Sequence, residues 1–129
     1  MKKFAPVRNS ALTEAPYDLI SLADERGVLT LSLEGASGKA VSVRFDGYVF
    51  YSKMDEGDAL HTLGVLRQAS CIGSVLISAR DSELLDWFNK ESFGVRLGAG
   101  QFTHYILLTQ NDIVNVISIG APSINCDPG

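Results

Sequence analysis

Two histidines, two cysteines, a single tryptophan and a short acidic cluster are the side chains from which this sequence could build chemistry or recognition. His61 and His104 lie far apart in the chain, so a shared metal ion would need a carboxylate brought in by the tertiary fold. A catalytic histidine needs an orienting partner, and neither has one nearby in sequence. His104, with Tyr105 beside it, reads instead as a hydrogen-bonded residue of a sheet. Cys71, between Ser70 and Ile72, lacks the helix-start setting that activates a thiolate and reads as a small buried apolar residue. Gly94, Gly98 and Gly100 do not form a dinucleotide fingerprint or a phosphate loop, so they read as loop punctuation and no nucleotide cofactor is implied.

The acidic cluster Asp55, Glu56 and Asp58 lacks the ligand spacing of a calcium loop. Capping of a helix explains it more simply, and caps on exposed loops remain within reach of a basic partner. Trp87, Tyr48, Tyr51 and Tyr105 combine an apolar ring with a polar tip, the combination enriched in protein interfaces. With His104 and the three acidic residues they form the candidate partner-binding set. No catalytic residue, metal site or cofactor is expected.

The elements that must position these residues follow from periodicity. Phe102 to Ile119 is two β-branched and aromatic runs around Gln110-Asn111, a hairpin in which Thr109 faces Asp112 and Phe102 faces Ile119. His104, Ile106, Ile113 and Asn115 then share one face, and Tyr105, Leu107, Val114 and Val116 the other. Both faces are apolar in the middle, which suits a sheet covered by helices on one side and partly covered, or ready to be covered, on the other. Upstream, Tyr17 to Ala23, Val28 to Glu34, Lys39 to Asp46 and Tyr48 to Met54 read as successive antiparallel strands. Asp55 to Asp58 reads as the start of a helix running to about Gln68. Ile72 to Ser78 reads as a buried strand. A second helix is capped by Asp81 or Ser82, with Leu84, Leu85 and Phe88 on its apolar face and Trp87 at the edge.

Residues 1–16 read as a flexible arm, 17–120 as a single domain and 121–129 as a tail, with Ser92 to Gln101 a mobile connection. The expected fold is α+β: a mainly antiparallel sheet of about six to seven strands with two helices packed on one face. At 129 residues and 46% apolar content one core is expected. A net charge of −4 with scattered basic residues argues against direct binding of nucleic acid and for a basic protein partner. Met1-Lys2-Lys3 leads into no apolar export segment, and no run reaches the roughly 18 residues of a membrane span. Cytoplasmic residence with reduced thiols is the expectation.

Ser82-Glu83-Leu84-Leu85-Asp86-Trp87-Phe88, Glu91-Ser92, His104-Tyr105 with Thr109, Asn111-Asp112 and Val114-Asn115-Val116-Ile117 resemble small bacterial immunity proteins of polymorphic-toxin and contact-dependent growth inhibition systems. The likeness covers about the last third of the chain, and no functional residue carries over from it. It implies a non-enzymatic protein, monomer or weak homodimer, that binds a cognate toxin domain and occludes its active site. For a basic nuclease toxin, Asp55, Glu56 and Asp58 would mimic phosphate. Other readings are a small-ligand-sensing or adaptor domain using the concave sheet face, favoured by an apolar cavity beside Tyr105 and His104, and an enzyme, favoured by a carboxylate against either histidine in a cleft. A structural subunit is the last, suggested by the two apolar hairpin faces.

Overall fold

The computed structural model describes residues 3–13, 15–92 and 102–126. Strands β1 (Phe4–Pro6), β2 (Asp18–Glu25), β3 (Val28–Glu34), β4 (Ala40–Phe45) and β5 (Tyr48–Asp55) precede a 3₁₀ turn at Glu56–Asp58 and helix α1 (Leu60–Gln68). After these come β6 (Leu76–Ala79), helix α2 (Glu83–Glu91), β7 (Phe102–Leu108), β8 (Asp112–Ile119) and β9 (Ser123–Cys126). The α+β class and the antiparallel pairing expected from the sequence are present. The strands are more numerous than expected, and they form two sheets in the orders β1-β6-β7-β8-β5 and β2-β3-β4-β9.

The hairpin of β7 and β8 takes the expected register, from Phe102 opposite Ile119 to Leu108 opposite Ile113. Thr109 closes its turn: its N–H donates to the Asp112 carbonyl at 3.0 Å, and its hydroxyl accepts from the Asp112 N–H at 3.2 Å. Alternation then decides the layers. Tyr105, Leu107, Val114 and Val116 pack against Leu29, Leu31, Leu33, Val41, Val43 and Phe45 of the second sheet. On the opposite face, Ile106 and Ile113 pack with Ala59, Leu66 and Cys71 around α1. The result is three layers, helices on sheet on sheet. Both apolar faces of the hairpin are therefore covered within one chain, so they no longer argue for a structural subunit.

The second sheet exists because the chain changes sheets between β4 and β5. Only Asp46 and Gly47 separate these strands, a spacing that reads as a hairpin. Instead β5 pairs with β8, starting at Tyr48 opposite Ser118. Gly47 makes the crossing possible, since Ile119 N–H donates to its carbonyl at 2.9 Å and a Cβ at this position would collide with the Ile119 carbonyl.

The two segments expected to be loose also pair. Phe4–Pro6 lies antiparallel to β6, at an edge where the missing N–H of Pro6 is tolerated, and β9 extends the second sheet along β4. Such short runs carry too few residues for a period to be legible. Gly94, Gly98, Gly100 and the rest of 93–101 lie outside the described residues.

The acidic cluster does not begin α1. Asp55 caps the separate 3₁₀ turn, its carboxylate accepting from Gly57 N–H at 2.8 Å, and α1 starts after Ala59 with no side-chain cap. Ser82 caps α2, accepting from Leu85 N–H at 3.3 Å. Glu83 and Asp86 in the first turn and Lys90 in the last complement the dipole of this helix.

Candidate functional site

His104 sits on the helix-facing side of β7 and is 4% exposed. The hairpin register makes Asn115 its diagonal neighbour on β8, and the cap of α2 brings Ser82 to its other side. Ser82 Oγ lies 2.7 Å from His104 Nδ1, and His104 Nε2 lies 2.8 Å from Asn115 Oδ1. The proton order follows. An amide oxygen only accepts, so the contact with Asn115 Oδ1 requires the imidazole proton on Nε2. In the neutral ring Nδ1 is then bare and accepts from the Ser82 hydroxyl, whose oxygen also accepts from Leu85 N–H.

Burial pushes the His104 imidazole below its ordinary value of 6.5, and the Asn115 hydrogen bond only partly opposes this. The unfolded chain takes up a proton as pH falls through that ordinary value, while the folded chain resists until lower pH. Stability is thus complete above it and declines as pH drops. Urea midpoints should fall between about pH 7 and about pH 5 in the wild type, and His104→Gln should flatten that slope.

Around these residues α1 and α2 enclose a cleft of about 490 Å³. Val65, Leu66, Leu84, Trp87 and Ile106 line it, with Ser82, His104 and Asn115 also contributing. At its rim His61 Nε2 lies 3.1 Å from Glu83 Oε1, joining the two helices. This is the carboxylate–histidine contact an acid/base reading asks for. Both side chains are largely in solvent, at 77% and 79% exposed, and no hydrogen bond among the described residues ties them to His104. Ser82 is 2% exposed and its hydroxyl is engaged with Leu85 and His104. The arrangement fixes a ring and an amide; it does not present a nucleophile.

The expected partner-binding residues do not gather in one place, and His104, being buried, is not open to a protein partner. Trp87 is 44% exposed, its ring resting edge-on against Phe50 of β5 with centroids 5.1 Å apart. Asp55, Glu56 and Asp58 are exposed at the far end of β5. Tyr48 and Tyr51 pair at 5.6 Å on the other face of β5, closing the edge between the sheets. Tyr48 hydroxyl donates to Asp24 of β2, and this bond, helped by desolvation, pushes its phenol up to about 12. Tyr105 does not join the partner-binding set as expected: it is 7% exposed and packs on Phe45 between the sheets, because alternation turns it away from His104. The cleft consequently adjoins His104 and not Tyr105.

Sequence reasoning missed Ser82 and Asn115 as partners of His104, Phe50 as the contact of Trp87, and Met54 and Leu60 as the exposed apolar residues flanking the acidic turn. The hairpin register already set Asn115 on the His104 face, which was the available signal. Among the described residues no helix is long and apolar enough to cross a membrane. Comparison of the chain with protein-family models, curated proteins and solved structures finds no match.

Proposed function

We propose that this chain is a non-enzymatic binding protein of the immunity kind, which neutralises a cognate bacterial toxin domain in the cytoplasm by covering its active site. The observation that carries the reading is one continuous surface. It runs from Trp87 across its contact with Phe50, along β5 to Met54, through the acidic turn to Leu60 and His61, and back to α2 across His61–Glu83. Met54, Leu60 and Trp87 are 47%, 72% and 44% exposed, large apolar side chains left in water after the core is filled. Asp55, Glu56 and Asp58 stand between Met54 and Leu60 in the chain, and Glu83 lies one turn before Trp87 on α2. Exposed apolar anchors beside carboxylates match a basic protein domain, such as a nuclease whose cleft is built for phosphate.

The test is to express the tagged chain with the C-terminal toxin domain encoded immediately upstream and to follow both capture and growth. Stable 1:1 capture with rescue of growth is the expected result. Absence of both would overturn the reading.

A further inference from the structure

We propose that the cleft between α1 and α2 is a binding site for a flat, neutral ring that carries a carbonyl oxygen. The inference goes beyond toxin binding and does not rest on it. The donor that would recognise the carbonyl is fixed by the chain of hydrogen bonds from Leu85 to Asn115. Because Asn115 Oδ1 accepts from His104 Nε2–H, the amide is held in one orientation, and Nδ2 is the atom left for a guest. Nδ2 has no hydrogen-bond partner among the described residues, and Asn115 lines the cleft. An acceptor is therefore what the polar end of the cleft lacks.

The shape and charge select the rest of the guest. The indole of Trp87 provides an aromatic surface, and Val65 of α1 and Ile106 of β7 provide aliphatic ones. A volume of about 490 Å³ lies within the range of small-ligand sites. His104 is buried and neutral, and the two fully charged side chains of the lining, Lys3 and Glu83, are of opposite sign, so neither an anionic nor a cationic guest finds a net opposite charge to replace its hydration. A neutral carbonyl compound avoids both costs.

Trp87 is the sole tryptophan, so intrinsic fluorescence of the whole protein reports directly on the cleft. Benzamide and nicotinamide should change it saturably below about 10 mM, the range a small fragment reaches. Benzoate, benzylamine and toluene should each bind about tenfold more weakly, the loss expected when one hydrogen bond is missing or one charge is desolvated. Asn115→Asp keeps an acceptor for His104 Nε2–H and removes both donors, so benzamide should weaken about tenfold while toluene stays unchanged. Val65→Phe, which fills the cleft from α1 and leaves Trp87 the sole tryptophan, should abolish binding of all probes in a protein with an unchanged circular dichroism spectrum. The proposal is overturned by an absence of saturable binding to the wild type, by equal affinity for benzamide and toluene or for benzamide and benzoate, or by binding that survives Val65→Phe.

Discussion

Gly47→Ala is expected to lower the stability of this protein by roughly 3 kcal/mol, a fall in Tm of roughly 10 °C for a domain of this size. The position has no left-handed backbone to explain its glycine. The cause is the close approach of Ile119, whose N–H bonds to the Gly47 carbonyl and whose own carbonyl occupies the space a Cβ needs. Backbone cannot step aside as a flexible side chain can, so the added methyl must push β8 away where β5 joins it. Thermal unfolding followed by circular dichroism measures the effect. A change under about 0.5 kcal/mol, the size of an ordinary surface substitution, would show that the crossing between sheets has slack.

Binding to the toxin domain should fail in two kinetically different ways. Asp55→Lys with Glu56→Lys inverts the sign of the acidic turn, and association at low salt should slow at least about tenfold with dissociation nearly unchanged. Asp55 also caps the 3₁₀ turn, but that turn is fully exposed and carries none of the core, so the fold should persist. Trp87→Ala removes an anchor instead, and should cost about 2 kcal/mol or more, seen as faster dissociation. Surface plasmon resonance at two salt concentrations separates the cases. If both variants bind like the wild type, the surface bounded by Phe50, Trp87 and the acidic turn is not the interface.

Much of this architecture was legible in the residues, and the exceptions have physical causes. The hairpin of β7 and β8 showed itself because two β-branched and aromatic runs of matching length around Gln110-Asn111 specify both the turn and the register. Helix α2 showed itself through Ser82, Glu83 and its apolar stripe. The two-sheet arrangement did not, because a two-residue link such as Asp46-Gly47 ordinarily joins paired strands, and its exception lies in contact with Ile119, distant in sequence. The site was less legible than the fold. Ser82 was visible as a cap, yet its second hydrogen bond to His104 depends on how α2 sits over the sheet. Trp87 was visible as an edge residue, while its contact with Phe50 depends on β5 lying beside β8.

That pairing of β5 with β8 also sets a timetable for biosynthesis. Strands β2, β3 and β4 are consecutive and can pair as soon as they clear the ribosome. Leu29, Leu31, Leu33, Val41, Val43 and Phe45 then form an apolar surface with nothing to cover it, since β7 and β8 follow only after β5, β6 and both helices. Ordering by such distant contacts is slow, and an uncovered strand surface is the feature that chaperones hold. The sheet of β2, β3 and β4 therefore waits as half a sandwich, and its centre closes only when β7 and β8 have followed it off the ribosome.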